Sequence, residues 1–331
     1  MEDNKDLIAR LTDKVKALMY WLRGWLGARR GDWTAQWTDT RYTLHLLRRN
    51  PLVVIGSAIA IFFIVVALLA NVIVDPNLAG FLDYERKYVW SNTALNWGPG
   101  TTIYPGPEYF FLGTDGYGRD LLKMIILALP LDMENAFIIT IAAAAIGITI
   151  GALAGFFGGI VDEAVLRITD IFFAFPGLIL ALVFAALLGR SIPTLRLAIL
   201  LVWWPTYVRL TRGQVLAEKE KNYVEALRAL GVGRLRILFR HILPNSIYPI
   251  LVQATLDFGG VILTFSALMF LGFSPSPILP ELGNLASDGY QHIFDAPWLL
   301  IFPGLTILVI ALAFNLVGDG LRDALDPRLR R

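Results

Sequence analysis

Cysteine is absent from the sequence, which excludes disulfides, iron–sulfur clusters and thiol nucleophiles. There are three histidines, His45, His241 and His292, too far apart for the spacings that hold zinc. The chain nowhere carries G-x-x-x-x-G-K-[ST], the loop whose amides cradle nucleoside phosphates, so it has no recognisable ATPase of its own. Charge is scarce: 17% of residues are Asp, Glu, Lys or Arg, and a net charge of +2 gives no reason to expect a nucleic-acid partner. A short basic start followed directly by an apolar run is also missing, so the N-terminus does not read as a signal peptide.

What remains is apolar. Hydrophobic residues make up 56% of the 331 positions, and the mean hydropathy is +0.59. A chain of this length and character is expected to be an all-α, multi-pass membrane protein. Six spans are expected, at 52–74, 134–158, 168–189, 194–211, 247–272 and 297–317. Each is close to the ~20 residues that cross the hydrocarbon core. The fourth is the least apolar, because Arg196 and Arg209 crowd its ends. The segments on the N-terminal side of such a topology carry 23 Lys and Arg, against 6 on the other side. The excess of positive charge predicts that both termini and Glu225 lie in the cytoplasm. Ahead of the spans, residues 1–50 form a separate segment. Within it Leu7, Leu11, Val15, Leu18, Leu22 and Trp25 fall near helical spacing with Lys and Arg between them. That pattern predicts a basic amphipathic helix, lying on membrane lipid or packed on a partner protein.

One polar stretch interrupts the C-terminal half, Asn222 to Asn245, NYVEALRALGVGRLRILFRHILPN. Asn222 with Glu225 three residues later has the form of a capping box. Gly231 is a natural helix stop. A second helical run, 232–242, is expected to end at Pro244, which lacks the amide a continuing helix needs. The stretch therefore reads as helix, glycine corner, helix, within a loop at 212–246. A solvated loop with capped helices accounts for the same local chemistry. Arg228, Arg234, Arg236 and Arg240 read either as lipid-headgroup anchors or as partners for an acidic surface.

Two further features stand out. Asp257 falls near the middle of the fifth span, four residues after Gln253 and on the same helix face. A carboxylate at that depth usually faces a cavity or a partner. It reads as part of a polar path or as a carboxyl bonded to a neighbouring helix, and Gly259-Gly260 beside it permits close helix packing. The external segment 75–133 holds ten aromatic residues between Phe81 and Tyr117, among them Trp90 and Trp97. Some suit an aromatic belt at the membrane surface. Trp90 and Trp97, stiffened by Pro99, Pro105 and Pro107, also suit an external flap. The segment ends in Phe111-Leu112-Gly113-Thr114-Asp115-Gly116-Tyr117-Gly118-Arg119-Asp120. With no strand before it and no lysine after it, this is a glycine turn in which Asp115 is expected to cap the next helix, and not a nucleotide loop.

The spacing of Glu225-Ala226, Gly231 and Leu243-Pro244 resembles the EAA loop of ABC importer permeases, with Leu227 in place of the third small residue and His241 in place of an isoleucine. The Leu112–Asp120 run, Arg167-Ile168-Thr169-Asp170 with Pro176, Phe270-Leu271-Gly272, Ala313–Asp323 and Asp326-Pro327-Arg328 are similar to signatures of the dipeptide and oligopeptide class. These matches span residues 48 to 331. The resemblance implies the C-type subunit of a peptide-class importer with a type I permease fold in the cell membrane. It implies no catalytic residues and no cofactor in this chain. Its partners would be a related second permease, two ATPase subunits that bind ATP and Mg, and an extracytoplasmic substrate-binding protein. Glu225, Ala226, Leu227, Gly231, His241, Leu243 and Pro244 would then contact the ATPase. Related permeases also serve nickel complexes and oligosaccharides. A membrane enzyme would need paired carboxylates, a Ser–Lys pair or a metal set within the spans, and none is evident. A channel or secondary transporter would fit an internal repeat, and none is recognisable.

Overall fold

The computed structural model describes residues 50–76 and 110–325, and every regular element in them is a helix. The amphipathic run at 4–27 and both Trp90 and Trp97 lie outside the described residues. Helix α1 (Pro51–Ile73) starts where Asn50 Oδ1 accepts from the Leu52 amide at 3.0 Å and Pro51 fills the first turn. Helix α2 (Leu121–Phe157) is capped by Asp120, whose Oδ1 accepts from the amides of Leu122 and Lys123 at 2.9 and 3.3 Å. The cap expected of Asp115 is therefore made by Asp120, and α2 begins well before the expected span at 134. With 37 residues, α2 is about 55 Å long, against about 30 Å of hydrocarbon, so it projects beyond the core even when tilted.

The third expected span is not one straight helix. Helices α3 (Gly159–Phe173) and α4 (Gly177–Leu188) meet at 89° across a short break, as a broken span or a re-entrant loop. Pro176 explains the break, since it cannot donate an amide and pushes the residue before it out of helical geometry. Helix α5 (Ile192–Lys219) contains the expected fourth span and opens on a capping box between Ser191 and Thr194. It is long enough to cross a membrane but, with Arg196, Arg209 and Arg212 along it, not apolar enough to count by composition. Among the described residues four helices are long and apolar enough to cross, or five with the bent pair.

After α5 come α6 (Asn222–Ala229), α7 (Arg234–Ile237), a π-helical turn (Leu238–Ile242) and α8 (Leu243–Ser246). Helix α9 (Tyr248–Leu268) runs into a second π turn (Met269–Phe273). A short helix, α10 (Leu282–Gln291), precedes α11 (Trp298–Leu325). One apolar core joins α2, α5, α9, α10 and α11, with Ile139, Ile199, Phe265, Leu282 and Leu299 buried in it.

In lipid, apolar surface gives helices little reason to associate, so close packing of small residues has to do it. Gly147, Gly151 and Gly155 form such a stripe on α2. A Cβ on Gly147 would stand 2.2 Å from Tyr207 Cβ, and one on Gly151 would stand 2.4 Å from the Val208 carbonyl oxygen of α5. On α9, a Cβ on Gly259 would stand 2.9 Å from the Ala311 carbonyl oxygen of α11, the close packing its Gly-Gly pair led one to expect. Ion pairs add to this. Arg212 and Arg209 of α5 bind Asp162 and Asp170 of α3, and Arg196 binds Glu134 of α2 at 2.7 Å. These three cations thus find their acidic partners within this chain.

Candidate functional site

The segment between α5 and α9 has two faces. Val224, Ile237, Leu238 and Ile242 are buried against Ala152 and Phe156 of α2 and Val215 of α5, with Leu227 and Leu243 half-buried beside them. On the other side Glu225, Ala226 and Pro244 are exposed, together with Leu230, Leu235 and Phe239. Leu230 is 79% exposed at the corner. Large apolar side chains held outward by a packed base mark a contact surface more often than a solvated loop.

The corner is built by backbone bonds. The Val232 amide donates to the Leu227 carbonyl at 3.1 Å and the Gly231 amide to the Arg228 carbonyl at 3.0 Å. That pair closes α6 in a Schellman motif, with Gly231 in the left-handed region at φ +76. The expected capping box is not formed. Lys221 is the cap residue of α6, no side chain bonds its first amides, and Asn222 lies inside the helix. Glu225 is therefore turned outward and not spent on its own helix. Pro244 does not end the second run either. The chain widens to a π turn, in which the Leu243 amide donates to the Leu238 carbonyl. The proline then fits at the start of α8 without blocking a bond.

Polar contacts hold this segment to the end of α5. Tyr223 Oη donates to Glu218 Oε1 at 2.9 Å and Lys221 Nζ lies 2.6 Å from Glu218 Oε2, while within the segment Asn245 Nδ2 donates to the His241 carbonyl at 3.0 Å. Burial pushes the Tyr223 phenol above its ordinary value, which keeps it a neutral donor to Glu218.

The second expected site is in α9. Gln253 Nε2 donates to Asp257 Oδ1 at 2.9 Å. Asp257 also faces Trp203 and Tyr207 of α5. Neither its Oδ2 nor the buried Tyr207 hydroxyl is in a well-formed hydrogen bond. No cation is among the groups acting on Asp257.

On the far side of the helices, Asp115 and Arg119 form a buried ion pair at 2.7 Å. Asp115 Oδ1 accepts from the amides of Tyr117 and Arg119, and Arg119 Nη1 donates to the Ile278 carbonyl at 2.7 Å. The glycine turn is thereby tied to the segment before α10. Sequence reasoning missed this link, and it missed a pair of buried carboxyls, Asp132 of α2 and Glu281 at the start of α10. Both residues fall outside the expected spans, the only places where a carboxylate pair was sought. The two are far apart in sequence, and only the folding of α10 against α2 joins them.

Residues 147–331 match the family model described as the binding-protein-dependent transport system inner membrane component. Residues 37–90 match the N-terminal transmembrane domain of oligopeptide transport permease C. The dipeptide transport system permease protein DppC of Haemophilus influenzae is 40% identical over 83% of this chain and 92% of its own length. DppC of Escherichia coli K12 is 40% identical over 87% of this chain and 92% of its own. The glutathione transport system permease protein GsiD of Pectobacterium atrosepticum is 34% identical over 85% and 89%. Among solved structures, a chain of the inward-facing methionine transporter MetNI aligns with TM-score 0.49 at 19% identity, over 62% of this chain and 98% of that one.

Proposed function

Since this chain belongs to the inner membrane components of binding-protein-dependent transport systems, we propose that it forms half of the translocation path for di- and oligopeptides in an ATP-driven importer. It is a transport subunit and not an enzyme. The path's other half is a related permease. Two ATPase subunits bind ATP and Mg, and an extracytoplasmic protein delivers the peptide. Residues 1–50 are a cytoplasmic segment and 51–331 the permease domain, with both termini and the 212–246 loop on the cytoplasmic side.

The observation that carries the reading is the two-faced segment between α5 and α9. Its base is packed on α2 and α5, while Glu225, Ala226 and Leu230 stand outward. In this reading the outward face docks on an ATPase, with Leu227, Gly231, His241, Leu243 and Pro244 shaping it. Motion of the loop then passes directly into the two helices beneath. Gln253 and Asp257 line the path, where a carboxylate attracts a peptide ammonium group. Trp90 and Trp97 contact the docked binding protein.

Reconstitution of the assembled complex in proteoliposomes tests this. Hydrolysis of ATP is expected only with the ATPase subunits present, and it should rise when peptide-loaded binding protein is added. Uptake of a nickel complex or an oligosaccharide without uptake of peptides would overturn the substrate. Replacing Trp90 and Trp97 together by Ala should lower the stimulated rate and spare the basal rate. Equal effects on both rates would remove the external contact.

A further inference from the structure

Asp132 and Glu281 are 1% and 0% exposed, and they come from elements that nothing in the sequence links. Three of their four oxygens already accept hydrogen bonds. The Leu282 amide donates to Asp132 Oδ2 at 3.2 Å, Ser266 Oγ to Glu281 Oε1 at 3.0 Å, and the Asn284 amide to Glu281 Oε2 at 2.7 Å. The fourth oxygen, Asp132 Oδ1, is buried and accepts from nothing. Each carboxyl acts directly on the other.

No cation balances them. The other groups acting on the pair are the Ser266 hydroxyl of α9 and the first amides of α10. Glu134, on the same helix as Asp132, is held by Arg196 of α5, whose guanidinium also turns to Asn135. Asp288, the other carboxylate of α10, accepts from the Gly116 amide. A metal ion has no place here, because only one carboxyl oxygen is open and the described residues hold no cluster of three ligand side chains. Two bare carboxylates in contact in a dry site repel strongly, and burying each without a counter-charge is costly. A single proton removes one charge and turns the unused oxygen into a donor.

We propose that Asp132 and Glu281 form a proton-binding site, in which Asp132 Oδ1 carries a proton at neutral pH and donates it to Glu281, fastening α10 to α2. The proton belongs on Asp132 because both oxygens of Glu281 already accept bonds that favour its anion, whereas Asp132 accepts one. Burial raises the Glu281 carboxyl above its ordinary value even against those bonds, so the pair as a whole keeps its last proton where free carboxyls have lost theirs. The sign follows. A group whose affinity for protons rises on folding adds stability that is complete below its unfolded value and is lost as pH climbs through the folded one.

The test is thermal unfolding of the assembled complex in detergent between about pH 6 and pH 9, across the range where a raised carboxyl titrates. The wild type should lose about 2 °C per pH unit relative to Asp132→Asn, the shift that one linked proton gives in a chain of this size. Asp132→Asn keeps a donor at every pH and should lack that slope. Equal pH slopes in wild type and Asp132→Asn would overturn the proposal. Should Asp132→Asn fail to assemble, the infrared spectrum decides. An Asp257→Asn complex at neutral pH should keep the carbonyl band of a buried protonated carboxyl, and its absence there would refute the site.

Discussion

The Val232 amide reaches back over Gly231 to the Leu227 carbonyl at 3.1 Å. This one bond fixes the angle at which α6 leaves the segment between α5 and α9. Leu227 is half-buried on the loop's base and Leu230 projects from the other side. The bond therefore holds an anchored residue and a presented one in a fixed relation, as a rigid lever needs.

Gly231 makes that bond possible, and its replacement tests the lever. A Cβ at this position would meet nothing within 4 Å, so the penalty is backbone strain at φ +76 and not a clash. For a residue other than glycine the left-handed region costs about 1–2 kcal/mol, most for a β-branched side chain. Gly231→Val should insert and assemble normally, while ATP-driven uptake falls by roughly 5- to 30-fold, the factor that such an energy represents. Uptake at the wild-type rate in proteoliposomes would show that the corner is not part of coupling.

Topology gives a second expectation. Because no cysteine is present, single cysteines can be placed freely. Cysteines at Glu225 and His292 should react with an impermeant maleimide from opposite sides of sealed vesicles. Labelling from the same side would invalidate the orientation inferred from Lys and Arg.

Asp257 supplies the third. Its Oδ1 accepts from Gln253, while Oδ2 has no hydrogen-bond partner. Asp257→Asn keeps the size and the Gln253 contact but removes the charge. If the carboxylate meets a peptide ammonium group, uptake should fall about tenfold or more, consistent with the 1.5–3 kcal/mol of a hydrogen bond to a charged group. Assembly and basal hydrolysis should be unchanged. Unaltered uptake across a panel of peptides would leave Asp257 a packing residue only.

Much of this was legible in the sequence because it rests on local signals. Gly231 marked the corner, and Gln253 and Asp257 met as their four-residue spacing required. Other features depended on what the chain meets after folding. Asn222 and Glu225 have the spacing of a capping box, yet the helix starts one residue earlier and leaves both exposed. Pro244 looked like a terminator, but a π turn absorbs it. Asp115 and Asp120 are equally plausible caps by type, and the pull of Arg119 on Asp115 leaves the helix to Asp120. The Asp132–Glu281 pair has no local signal at all.

The α2–α5 seam carries the last expectation. Gly151 sits midway along it, with the position of a Cβ only 2.4 Å from the Val208 carbonyl oxygen and 3.0 Å from Thr211 Cβ. The nearest obstacle is backbone, which cannot rotate away as a side chain tip can. Gly151→Leu must therefore push α5 off α2. The seam ends at Ala152, Phe156 and Val215, the base on which Ile237 and Leu238 rest, so the displacement reaches the cytoplasmic loop. Overpacking of this kind costs typically about 1–3 kcal/mol and more where backbone is in the way. The yield of folded complex and its unfolding midpoint should both drop. Gly213, on α5 itself, is the control, since a Cβ there meets nothing within 4 Å and φ is not positive. Gly213→Ala should stay within about 0.5 kcal/mol of wild type, as surface substitutions do. Equal stability of Gly151→Leu and Gly213→Ala in the same detergent would contradict the close approach of the two helices.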